Sequence, residues 1–171
     1  MLNDEKIIDL VNSGEMISPF DMEQLQPHSY DARLAGSFRL PHYNEETGDQ
    51  KWLEQTIEEK DVTFIKSKEF WLGSTIEYLK LPENVVGFVC GKSTIGRNGL
   101  QIENAGLIDA GFEGAITLEL YNMAPWPVTL TAGMRICQIY FFDVDSPIYK
   151  SYRKIGHYNG QVGATLPKYN L

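Results

Sequence analysis

Apolar residues recur at helical spacing only at the start of the chain. Ile7, Ile8 and Val11 make one stripe over roughly Asp4 to Asn12. Asn3 can cap that segment and Gly14 is a natural stop. The pattern predicts a short N-terminal helix that serves as a brace. From Gln26 onward the period falls to two. Tyr30, Ala32 and Leu34 alternate with polar residues, and Phe38 and Leu40 follow Gly36. Phe64-Ile65, Phe70-Trp71-Leu72, Ile76 with Tyr78-Leu79, and Val85 to Cys90 read as further strands, with Pro82-Glu83-Asn84 as a turn. Ile116, Leu118 and Leu120, then Val128 and Leu130, then Ile136 and Ile139-Tyr140-Phe141-Phe142 continue the series. Asn44 to Gln50 is an acidic, solvated loop. Many short strands between Gly and Pro turns predict a mainly β fold, a sandwich or distorted barrel. No segment repeats and none is of low complexity.

The pattern fades from Tyr149 to Leu171, which is rich in Tyr, Lys and Gly. Gly156, Gly160 and Gly163 permit movement there. Composition alone favours a frayed tail over a lid that closes on a ligand.

A length of 171 residues predicts a single domain, 1–171, able to bury a sizeable core. The formal net charge is −8, from 15 Lys+Arg and 23 Asp+Glu, with no basic run. That argues against nucleic acid as a partner but leaves a nucleotide open, since a nucleotide needs only a local cationic pocket. Cys90 and Cys137 both sit in apolar, strand-like surroundings and read as free thiols in a reducing compartment. No apolar run approaches the ~20 residues that would span a membrane, and no signal-peptide pattern opens the chain. A cytoplasmic protein with no membrane partner is expected.

Candidate chemistry is concentrated between Lys92 and Glu119. Lys92, Ser93, Thr94 and Arg97 put hydroxyls, backbone N–H groups and two cations on one Gly-containing turn, which suits an oligophosphate. The string Gly91-Lys92-Ser93-Thr94 suggests a Walker A loop, but Val86 stands where that loop needs its first Gly. A kinase or ATPase is therefore rejected. Ile108-Asp109-Ala110-Gly111-Phe112 reads as a tight hairpin tip that Asp109 could merely cap. Glu119, between Leu118 and Leu120, is either an ion-paired core Glu or a general acid/base whose pKa burial raises toward neutrality. Zinc deaminases need a His/Cys set, whereas Cys90, Cys137, His28, His42 and His157 are scattered. No zinc site is expected.

At these residues the chain resembles a family. GKSTIGRNGL and NAGLIDAGFEGAITLELYN look like the dCTP deaminase branch of the dUTPase-like superfamily. The likeness extends back to QPHSYDARL, and forward to GMRICQ and to His157-Tyr158, Gln161 and Gly163-Ala164. It implies a dUTPase-like distorted β-barrel or jelly-roll with a short N-terminal helix. It also implies a homotrimer with active sites shared between subunits. It makes residues 149–171 a lid rather than a tail.

By the same resemblance, Lys92, Ser93, Thr94 and Arg97 bind the triphosphate, and Ser93 and Arg97 also approach the catalytic water. The family most often has Arg where Lys92 stands; Lys keeps the charge and loses the bidentate fork. Asp109 holds the deoxyribose 3′-hydroxyl and Phe112 packs under the sugar, leaving no room for a 2′-hydroxyl. Ala110 replaces a frequent Pro. Asn104 and Ala105 lie beside the sugar and α-phosphate. Tyr158 and Gln161 meet the nucleotide from the lid. His157 stands where relatives carry Lys, which makes phosphate binding more pH-sensitive.

Glu119 would be the proton shuttle of a metal-free deamination, with Mg²⁺ arriving on the triphosphate rather than in a protein site. The short Gln101-Ile102-Glu103-Asn104-Ala105-Gly106 segment resembles bifunctional members that turn dCTP directly into dUMP. A monofunctional deaminase giving dUTP, a dUTPase, and a non-catalytic nucleotide-binding regulator remain as alternatives.

Overall fold

In the computed structural model, residues 1–14, 16–103, 106–146 and 148–169 are described. The first helix, α1 (Asp4–Gly14), is capped as the sequence suggests, with Lys6 N–H donating to Asn3 Oδ1 at 3.1 Å. Ile7 is fully buried, and Leu10 and Val11 pack on the core beside it. None of the helices among the described residues is long and apolar enough to cross a membrane.

Strands follow in quick succession: β1 (Ile17–Ser18), β2 (Leu25–Gln26), β3 (Ser29–Arg33), β4 (Ser37–Tyr43), β5 (Gln50–Thr56), β6 (Val62–Ile65) and β7 (Phe70–Lys80). Next come β8 (Val85–Gly91), a short helix α2 (Ser93–Arg97), β9 (Leu100–Glu103), β10 (Leu107–Ile108), β11 (Glu113–Asn122), β12 (Val128–Thr131) and β13 (Arg135–Asp143). A one-turn helix, α3 (Tyr152–Ile155), opens the C-terminal segment.

One sheet is six-stranded, in the order β5-β4-β7-β11-β9 with β1 added against β7; a second is five-stranded, β10-β8-β13-β3-β2; β12 and β6 form a pair of their own. Tyr30, Phe38, Leu118, Leu120, Ile139 and Phe141 are buried without residue between the sheets. The expected mainly β fold with its N-terminal helix is what forms.

Two expectations need correction. The residues after the acidic loop form β5, a strand the pattern misses because its side chains are mostly wet on both faces. Phe70 to Lys80 is one continuous strand, not two. Gly73 interrupts the apolar pattern because a Cβ there would meet Leu120 Cδ1 at 3.1 Å and Leu34 Cδ1 at 3.3 Å. It marks close sheet packing rather than a break.

The β7–β11 ladder carries a bulge. Ala115 pairs with Tyr78 and Thr117 with Ser74, so Ile116 alone faces Thr75, Ile76 and Glu77. The Thr75 hydroxyl repairs the ladder by accepting from Ile116 N–H at 2.9 Å and donating to the Glu77 carbonyl at 2.8 Å. The bulge turns Glu77 across to the second sheet. Its carboxylate accepts from Arg33 N–H and from Arg33 Nε, each at 2.7 Å, and it is fully buried. Without Glu77, Arg33 keeps, among the described residues, only its longer contact to Asp21 at 3.4 Å. Glu77→Ala is expected to lower the folding free energy by about 1–3 kcal/mol. A urea midpoint unchanged at constant slope refutes this role.

Cys90 and Cys137 are both free, as expected, and Cys137 is fully buried. Gln138 pairs with Cys90 and Gly91 with Cys137, so the two thiols point to opposite faces of their sheet. Burial pushes the Cys137 thiol far above its ordinary pKa, which makes it inert.

Candidate active site

Strand β11 sorts its residues by the two-residue period of a pleated strand. Leu118 and Leu120 enter the core, while Thr117 and Glu119 take the other face and are half-buried. There they line a cleft of about 390 Å³, within the usual range for a small-molecule site. Glu119 is thus a carboxylate at a cleft wall rather than a core Glu.

Asp109 lies on the far rim, just after β10, and is exposed. The turn closes through Phe112 N–H to the Asp109 carbonyl at 3.1 Å. Phe112 is 6% exposed and lines the same cleft. Its ring centroid is 5.8 Å from that of Tyr152 on α3. At the Glu119 end a second aromatic pair, Trp52 and Phe70, stands 6.5 Å apart edge to face.

The C-terminal segment is ordered against the strand that carries Glu119. Gly160 N–H donates to the Glu113 carbonyl at 2.6 Å, Ala115 N–H to the Gln161 carbonyl at 3.0 Å, and Thr165 N–H to Thr117 Oγ1 at 3.1 Å. Gln161 Nε2 donates to the Ala115 carbonyl at 2.7 Å, and Asn159 Oδ1 accepts from Glu113 N–H at 2.8 Å. Gly114, at φ +151°, makes this approach possible: a Cβ there would sit 3.1 Å from Gln161 and from Phe112. Tyr158, Gln161, Thr165 and Pro167 line the cleft from this side. Gln161 Oε1 is shielded from solvent and has no hydrogen-bond partner within the described chain. Lys168 clamps Tyr158, its N–H donating to the Tyr158 hydroxyl at 3.1 Å and its Nζ lying 5.4 Å from the ring centroid. His157 is exposed and does not line the cleft.

The Lys92 to Arg97 cluster lies elsewhere on the chain. Ser93, Thr94 and Arg97 sit exposed on α2, and neither they nor Lys92 line the cleft. Lys92 Nζ is 2.6 Å from Asp31 Oδ2, a carboxylate 2% exposed on β3, with Arg135 Nη1 at 3.9 Å. That ion pair pins the start of α2 to the second sheet. The cleft itself is lined by Asp109 and Glu119 and, among the described residues, by no Lys, Arg or His. Asn104 and Ala105 lie outside the described residues.

Sequence reasoning missed Trp52, Phe70 and Thr165 as cleft residues. A Trp inside an otherwise polar strand was the available signal for Trp52. Among the described residues no three His, Cys, Asp or Glu side chains are placed to hold a metal ion. His28 and His42 are exposed.

Residues 1–144 match the model of a family described as dCTP deaminase-like. A Hydrogenobaculum protein named "dCTP deaminase, dUMP-forming" is 47% identical over 98% of this chain and 95% of its own length. One of the same name from Persephonella marina is 43% identical over 98% of this chain and 96% of its own. Among solved structures, the 2′-deoxycytidine 5′-triphosphate deaminase of Agrobacterium tumefaciens superposes with a TM-score of 0.65 over 92% of this chain, at 20% identity. This chain spans about half of that one, 52%, and the likeness speaks for the fold.

Proposed function

This chain belongs to the dCTP deaminase-like family, and from that premise we propose that it converts dCTP and water into dUMP, pyrophosphate and ammonia. The carrying observation is a cleft edged by the C-terminal segment and lined by two carboxylates and, among the described residues, by no cation, on a chain whose Ser93, Thr94 and Arg97 stand exposed on α2. Among the described lining residues the charged groups that a triphosphate would meet are carboxylates, so its phosphates call for a cation from outside the cleft. A neighbouring copy that presents α2 across the cleft supplies a cation, Arg97. The assembly we propose is a homotrimer with shared sites.

Glu119 takes a proton from a water as its oxygen bonds to the amino-bearing carbon of cytosine. It returns that proton to the ring nitrogen. A second transfer lets the carbon–nitrogen bond break and ammonia leave. Ser93 and Arg97 of the neighbouring copy orient the water. Gln161 Oε1, a shielded acceptor, suits the substrate's amino group. Phe112 packs under the deoxyribose and Asp109 receives its 3′-hydroxyl. Asp109 also positions a second water, which attacks the α-phosphorus; the bond to the bridging oxygen breaks and pyrophosphate departs. The described side chains offer no metal set, so Mg²⁺ would be held by phosphate oxygens and water, where it neutralises their charge.

The test is to incubate the protein with dCTP and Mg²⁺, resolve the nucleotides by chromatography and measure ammonia. Ammonia with dUMP is expected. Accumulating dUTP without dUMP rejects the second step, and dUTP hydrolysis without action on dCTP rejects the role of Glu119.

A further inference from the structure

We propose that Trp52 contacts the substrate, its indole forming the wall against which the pyrimidine ring packs. The inference rests on the function proposed above. β5 is polar and mostly exposed, and Trp52 is its one large aromatic side chain. It belongs to no part of the buried core, yet it lines the cleft. The register explains why. Glu54 pairs with Arg39, Arg39 with Leu72, and Leu72 with Glu119, so these residues share one face across β5, β4, β7 and β11. Trp52 lies two residues from Glu54 and therefore on that face. Phe70, opposite Tyr121, braces the indole edge to face with 64° between the rings. The pair stands at the Glu119 end, while Phe112 and Tyr152 stand at the Asp109 end. A nucleotide presents two joined bodies to such a cleft: a sugar and a flat base. The wall beside the proton shuttle falls to the base, and stacking on an aromatic ring is the strongest contact such a wall offers.

Two measurements decide it. In the Glu119→Gln background, without Mg²⁺, dCTP is not deaminated, and its binding is expected to quench tryptophan emission. Adding Trp52→Phe should remove that quench while calorimetry still reports binding, because Trp71 is buried in the core and Trp126 lies outside the cleft. In the Glu119 enzyme, Trp52→Ala should raise KM for dCTP about tenfold with less effect on kcat, and Trp52→Phe should recover most of the loss. An undiminished quench in the Trp52→Phe protein overturns the proposal, and it does so even if Trp52→Ala fails to fold. An unchanged KM in a folded Trp52→Ala protein overturns it as well. If the unaltered enzyme deaminates dCTP and the Trp52 variants behave in these ways, only this inference falls. If the unaltered enzyme neither binds nor deaminates dCTP, the proposed function has failed and this inference goes with it.

Discussion

Glu119→Gln is expected to stop ammonia release while dCTP binding survives. The amide has nearly the shape of the carboxylate, so the cleft keeps its walls. It cannot accept a proton from water at neutral pH, and losing a positioned general base costs about 10² to 10⁴ in rate. In the proposed site binding rests on other residues: the C-terminal segment, the Asp109 rim and Arg97 of α2. Calorimetry with dCTP should therefore give an affinity close to that of the unaltered protein. Near-normal turnover in the variant rejects Glu119 as the shuttle. The same variant tests the shared site. Arg97→Ala alone should also be impaired, yet co-refolding it with Glu119→Gln should restore activity, because some sites then draw an intact Arg97 from one copy and an intact Glu119 from another. No recovery on mixing means that both residues serve from one chain.

Deleting residues 156–171 should leave a folded protein with at least about a 10²-fold loss in turnover. All the sheet strands end by Asp143, and α3 precedes the cut, so Tyr152 still covers Phe112. What goes is the layer that meets β11 through Gly160, Gln161 and Thr165. The backbone groups so exposed find water, and the melting temperature should fall only slightly. The cleft, however, floods and loses Tyr158 and Gln161. Unchanged kinetics in the truncated protein would make the segment an ornament of the fold.

Both predictions depend on features that differ in how far the sequence discloses them. β11 is plain: alternation puts Leu118 and Leu120 on one face and Glu119 on the other, which is what the structure contains. β5 is hidden, since an edge hairpin wetted on both faces has no reason to alternate. α2 holds five residues, too few for a helical period, and so reads as a turn. The order of the C-terminal segment comes from hydrogen bonds to the backbone of β11, which leave no mark on composition. The ion pair between Lys92 and Asp31 joins residues 61 apart in sequence. Reading the cluster locally, one sees a cation available for phosphate; the fold instead gives that cation a carboxylate of its own.

The bulge opposite Ile116 constrains how this strand can change in length. Beyond it, Thr117 and Glu119 meet the cleft on odd-numbered steps and the leucines meet the core on even ones. Inserting or deleting one residue there would exchange the two sets, burying a carboxylate among leucines and turning a leucine toward the substrate. Length variation between Thr117 and Tyr121 is therefore tolerable only in pairs. The irregular stretch around Thr75 to Glu77 obeys the same rule, since three residues of β7 there oppose one of β11, a difference of two that keeps both strands in phase. A library of one-residue and two-residue insertions along β11 would record that parity directly as alternating loss and survival of folding.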